Sequence, residues 1–82
     1  NSASKIDIYA HGSEIVVSAS SEIVIERVIV SDLSGRSCVY SAGDIEFVND
    51  KYVRINLPVD KGIYAVKVIS NAAVRTEKLR LN

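Results

Sequence analysis

Val28-Ile29-Val30-Ser31-Asp32-Leu33-Ser34-Gly35-Arg36-Ser37-Cys38-Val39-Tyr40 is the stretch that decides the fold. Two extended runs meet at Asp32-Leu33-Ser34-Gly35. Asp opens a type I turn there, and Gly at the fourth position takes the left-handed conformation that closes a three-residue hairpin loop. Such a loop fixes the register. With Asp32 opposite Arg36, Val30 falls opposite Cys38 and Val28 opposite Tyr40, so these four side chains share one face, and that face is expected in the core.

The same logic extends to both sides of the hairpin. Upstream, Lys5 to Ala10 alternates, with Ile6 and Ile8 on one side and Lys5, Asp7 and Tyr9 on the other, and His11-Gly12-Ser13 turns the chain. Glu14 to Ser18 returns with Ile15 and Val17 on a common face before the polar loop Ser18 to Ser21. From Glu22 to Val30 the apolar run is broken only by Glu26-Arg27, which admits one bent strand or two short ones and favours two. Downstream, Ser41-Ala42-Gly43-Asp44 breaks the pattern, and Ile45 to Asp50 reads as a connection that drops Phe47 into the core. Val53, Ile55 and Leu57 share one face of the next strand, which Pro58 ends because it has no N–H for the ladder.

After a second tight turn, Lys61-Gly62 leads into Ile63 to Ser70, where Tyr64, Val66 and Val68 share one face and Ile63, Ala65, Lys67 and Ile69 the other. Apolarity on both faces indicates a central strand. Asn71-Ala72 turns the chain into a last strand, Val74 to Leu81, with Leu79 and Leu81 inward and Lys78 and Arg80 in water. The expected inward set is Ile6, Ile8, Ile15, Val17, Val28, Val30, Val53, Ile55, Tyr64, Val66, Val68 and Leu79. Seven or eight short strands with regular turn signals predict an all-β fold, an antiparallel two-sheet immunoglobulin-like β-sandwich.

Composition agrees. Ten Ile and twelve Val against four Leu, with no Met or Trp, suit pleated sheet better than helix, because a branched Cβ stiffens χ1. At 82 residues the chain is a single domain over 5–82 with a linker at 1–4, expected to be the C-terminal module of a longer protein. The first residues have neither a basic region nor an apolar one, and no apolar run approaches membrane-spanning length, so no membrane insertion is expected.

Net charge is zero, yet residues 1–50 carry three basic and eight acidic side chains and residues 51–82 seven basic and two acidic. Charge pairing between sheets explains this polarity more simply than a basic C-terminal strand that meets a partner. Overall neutrality and scattered Tyr residues give no phosphate-binding field and no stacking platform, which argues against nucleic acid.

Candidates for chemistry are few. His11 and Cys38 are the one pair that suggests nucleophilic catalysis, but His11 falls in a surface turn and Cys38, the single cysteine, in the expected core, where it is a small hydrophobe. Asp44, Glu46, Asn49 and Asp50 offer oxygen ligands for Ca²⁺ at a spacing that matches no known loop motif, so a solvated connection is the better reading. No Gly-x-Ser-x-Gly elbow is present. Tyr9 and Tyr52 are the outward tyrosines that a sugar platform would use. Ile63, Ala65 and Ile69 form either a docking surface or, by preference, core. No enzyme activity, cofactor or metal is expected, and the isolated domain is expected to be a monomer.

Two segments, Val30-Ser31-Asp32-Leu33-Ser34-Gly35-Arg36 and Lys61-Gly62-Ile63-Tyr64-Ala65-Val66-Lys67-Val68, are followed by the basic strand Thr76-Glu77-Lys78-Leu79-Arg80-Leu81. Together they resemble the C-terminal sorting domain (type A-like) of cargo proteins of the type IX secretion system, or a related C-terminal sandwich module of bacterial cell-surface proteins. Asp32, Gly35, Arg36, Lys61, Gly62 and Tyr64 carry the motifs. The family usually opens with a strand running into Pro-Asn-Pro, where this chain has Ala10-His11-Gly12; the related modules lack that turn. The resemblance implies a non-catalytic domain that crosses the inner membrane with its parent and is read by outer-membrane secretion machinery. The parent would then be secreted or held at the cell surface after passing through the periplasm. Recognition would fall on Arg75, Lys78 and Arg80. The alternative is a structural or ligand-binding accessory module of a surface protein.

Overall fold

The computed structural model describes residues 5–57 and 62–81. Eight strands run in chain order: β1 (Ile6–His11), β2 (Glu14–Ala19), β3 (Ile25–Asp32), β4 (Ser37–Ser41), β5 (Phe47–Asn49), β6 (Tyr52–Asn56), β7 (Gly62–Ser70) and β8 (Val74–Leu81). They form two antiparallel sheets of four, ordered β1-β2-β6-β5 and β4-β3-β7-β8. This order matches the ABED and CFG sheets of an immunoglobulin-like sandwich, the second extended by a strand in the C′ position. The inter-sheet disulfide of antibody domains is ruled out by the single cysteine, and their buried Trp has no counterpart here. Aliphatic packing therefore has to hold the sheets together.

That packing follows from the alternation. Ile15, Val17, Val53 and Ile55 from the first sheet meet Val28, Val30, Tyr64, Val66, Val68 and Leu81 from the second, all buried, with Ile6 closing one end. Ile8, Leu57, Phe47 and Leu79 pack half-buried around this centre. Two further core residues, Ile23 and Ile25, come from the stretch where two strands were favoured over one. β3 is one strand with a bulge at Glu26, where its pairing to β7 shifts between Ile25 and Arg27. The extra residue lets Glu26 and Arg27 both reach water while Ile25 and Val28 both stay inside, so the charged pair marks a bulge and not a break.

The Ile45–Asp50 connection also differs from expectation. It contains β5, which pairs with β6 through Phe47 opposite Val53. The predicted position of Pro58 as a strand end, and Lys61 before Gly62, lie outside the described residues.

The decisive hairpin forms in the predicted register: Val30 faces Cys38 and Val28 faces Tyr40. Cys38 is nevertheless exposed and Tyr40 only half-buried. The reason is position in the sheet. β4 is an edge strand, so its inward side chains overhang the rim of the core, and Cys38 borders an opening of about 290 Å³ with Val30, Leu57 and Tyr64.

At the opposite edge, β1 lies alongside β8, and the Arg75 guanidinium donates to the Ile6 carbonyl at 3.1 Å. This contact joins the two sheets. It also covers part of the free edge of β8.

Candidate functional site

The hairpin tip is the most tightly bonded surface feature. Asp32 Oδ1 accepts hydrogen bonds from the Ser34 amide (2.9 Å), the Ser34 hydroxyl (2.7 Å) and the Arg36 amide (3.0 Å), while Oδ2 meets Arg36 Nε at 3.3 Å. The Ser34 hydroxyl, then the amides and the Arg36 charge, hold the Asp32 carboxyl below its ordinary value, with burial opposing. Gly35 sits at φ +93°, the left-handed conformation that the turn demands, and its amide donates to the Asp32 carbonyl at 3.2 Å. The Asp32 carboxylate, the Ser34 hydroxyl and Arg36 Nε are thus spent on the turn itself and shape the tip, while the rest of the Arg36 side chain is exposed.

The candidate catalytic pair is not brought together. His11 ends β1, on the outer face of the first sheet beside Tyr9 and Tyr52, whereas Cys38 lies in β4 of the second sheet on the side turned inward. Burial, and after it the Cys38 thiol, pushes the Tyr40 phenol up. Three of the four candidate oxygen ligands are used locally: Asp44 Oδ2 accepts the Ser41 amide at 2.7 Å, Asn49 Oδ1 accepts the Lys51 amide at 2.8 Å, and Asp50 pairs with Lys51. Among the described residues, no three His, Cys, Asp or Glu side chains converge as a metal site would require.

Two outer faces remain. On the first sheet, Tyr9 and Arg54 flank Val16 in register and, with His11, Glu14 and Tyr52, line a shallow basin. Val16 is buried beneath them, which the alternation of β2 did not anticipate, since it lies on the outward side. Arg54 is held by both Glu14 carboxylate oxygens, at 2.9 and 3.1 Å.

On the second sheet, Ile63, Ala65 and Ile69 prove to be half-buried residues of an outward face, not a second core layer. Lys78 and Arg80 lie on this face, opposite Ala65 and Ile63. Arg75 does not join them. It is paired with Val68 on the inward side of β8, bonded to Ile6 and to Glu77. The predicted basic cluster is therefore split across the sheet.

Nor does charge pairing link the sheets. The five ion pairs among the described residues are Lys5–Asp7, Arg36–Asp32, Lys51–Asp50, Arg54–Glu14 and Arg75–Glu77, each within one sheet or one turn. The expectation that such pairing absorbs the polarity of the two halves fails for a geometric reason: the space between the sheets is filled by aliphatic side chains, and no charged side chain is buried among the described residues.

No protein-family model, no curated protein and no solved structure matches this chain.

Proposed function

We propose that this chain is a non-catalytic C-terminal sorting domain that directs a parent protein through the outer membrane by the type IX system. One observation carries the reading. The three segments of the resemblance, distant in sequence, are neighbours in a single sheet: the hairpin strand β3 pairs with the Gly-Ile-Tyr strand β7, which pairs with the basic strand β8, so that Asp32 faces Tyr64 and Tyr64 faces Leu79. Segments held together in this way can be read by a partner as one surface. In this role the domain acts by being bound, its partner is the outer-membrane secretion machinery, and its parent ends up secreted or at the cell surface.

A second reading, a ligand-binding accessory module, is favoured by the Tyr9–Tyr52–Arg54 basin on the other sheet, whose aromatic and charged lining suits a polar ring-shaped ligand. Fusing a periplasmic reporter upstream of the chain separates the two. In a host with a working type IX system the reporter should reach the surface, and in the same host without its translocon it should stay in the periplasm. Equal periplasmic retention in both hosts would refute sorting and leave the accessory reading.

A further inference from the structure

We infer that the outer face of the sheet β4-β3-β7-β8 docks a protein partner whose own surface is acidic and aliphatic. The inference rests on the reading of the chain as a module that is bound, and does not depend on export.

The face can be written from the register. Its rows are Ser41–Arg27–Ile69–Val74, then Val39–Ile29–Lys67–Thr76, then Ser37–Ser31–Ala65–Lys78, and last Ile63–Arg80. The cations fall on successive rows and step across the sheet, one on β3, one on β7 and two on β8. Strand spacing and residue rise put those on adjacent strands about 8 Å apart. These four, Arg27, Lys67, Lys78 and Arg80, are also the described cations that have no ion-pair partner among the described residues; the other five described cations are paired elsewhere on the molecule. Two acids adjoin the stripe in sequence: Glu26, the extra residue of the bulge beside Arg27, and Glu77 beside Lys78, which lies on the opposite side of β8 and pairs with Arg75. At separations close to a Debye length the stripe's potentials add, and a surface of opposite sign gains from all four charges.

The apolar residues between the cations identify the class of partner. Ile29, Ile63 and Ile69 are half-buried, and Val39 and Val74 are 55% and 57% exposed, flanking the stripe on both sides. No aromatic side chain lies on this face: Tyr9 and Tyr52 are on the outer face of the other sheet, and Tyr40, Phe47 and Tyr64 point inward. A single-stranded nucleic acid or a sugar would call for stacking rings, a duplex would use the cations but leave the aliphatic rows between them idle, and a membrane surface would call for interfacial Trp or Tyr. Cations interleaved with flat aliphatic rows instead fit carboxylates interleaved with Leu, Ile or Val on a protein. A second copy of the chain is a poor match, because face-to-face pairing sets cations against cations, while the opposite outer face has Lys5–Asp7 and Glu14–Arg54 already neutralised.

The test titrates the full chain with a synthetic amphipathic peptide whose apolar side is Leu and whose polar side is Glu, reading backbone amide shifts. Saturable shifts are expected at Ile29, Ala65, Lys67 and Lys78. The Kd should rise about tenfold for Lys67→Ser with Lys78→Ser, and again for the wild type when salt is raised from about 0.05 to about 0.3 M. Val39→Ser with Val74→Ser, both on exposed sites, should weaken binding several-fold, and Tyr9→Ser on the other sheet should change nothing. Thermal midpoints confirm that each variant is folded.

The inference is overturned if no saturable shifts occur, or if they map to the Tyr9 face. It is overturned too if Leu-free polyglutamate or phosphatidylglycerol vesicles bind as tightly as the peptide. Export provides the independent readout: peptide binding without export sinks the sorting reading alone, and export without peptide binding sinks this docking surface alone.

Discussion

Gly35→Val tests the hairpin at its one indispensable position. Gly35 has φ +93°, and a Cβ built there meets no other atom within 4 Å, so the substitution brings no clash with the rest of the fold. What remains is backbone strain. A β-branched residue held at positive φ costs about 1–3 kcal/mol, and relief by a shift of the turn would sacrifice the bond from the Gly35 amide to the Asp32 carbonyl and, with it, the pairing of Val30 with Cys38. For a domain of this size about 1 kcal/mol corresponds to about 4–8 °C, so the midpoint should fall by about 4–24 °C. Thermal and urea unfolding of a short series give the measurement. Gly35→Asn should lose least, because Asn tolerates the left-handed region, Gly35→Ala should be intermediate, and Gly35→Val should lose most. Leu33→Val is the control: Leu33 is in the same loop, 79% exposed and not at positive φ, and should behave as wild type. Equal midpoints for Gly35→Val and Leu33→Val would refute the reasoning.

Other consequences concern the two faces of β8, the turn and the cysteine. Leu81 is buried, so Leu81→Ala should destabilise by about 2–4 kcal/mol in chemical denaturation, whereas Lys78→Ser with Arg80→Ser, on the exposed face, should leave the midpoint within about 0.5 kcal/mol. The Asp32 carboxyl is held below its ordinary value, so its contribution to the hairpin is complete above the usual carboxylate range. That contribution is lost as pH falls through the depressed folded value. The Ser34 and Arg36 amide shifts should report a midpoint below that of an ordinary aspartate and should stop titrating in Asp32→Asn; a midpoint at or above the ordinary value would contradict the bonding described. Cys38 is exposed, so a thiol reagent should modify it in the native protein at close to the rate of the unfolded chain, and strong native protection would contradict its position at the open rim.

What the sequence made legible was decided by local chemistry. Asp32, Gly35 and the alternation around them fixed a register that the fold keeps residue for residue, and apolarity on both faces marked β7 as central, although its Ile63, Ala65 and Ile69 face proved to be an outer one. What stayed hidden depended on neighbours that no local pattern specifies. Cys38 has the inward parity of a core residue, yet an edge strand at the rim leaves it uncovered. Val16 has outward parity, yet Tyr9 and Arg54 cover it. Glu26-Arg27 looked like a break because period-two reasoning has no place for the extra residue of a bulge. The candidate recognition residues were half legible: alternation put Lys78 and Arg80 together, but the same alternation sends Arg75 to the other side of β8, and proximity in sequence concealed that. Arg27 and Lys67 entered the basic stripe only through strand pairing.

Both the sorting reading and the docking surface rest on the register of β3, β7 and β8, and backbone NOEs across these strands test it most directly. Cross-strand contacts should connect Val28 with Val68, Val30 with Val66, Asp32 with Tyr64, and Tyr64 with Leu79. A register slipped by one residue, with Val30 opposite Ala65 or Lys67, would turn one set of side chains to the other face, disperse the cation stripe and contradict the account.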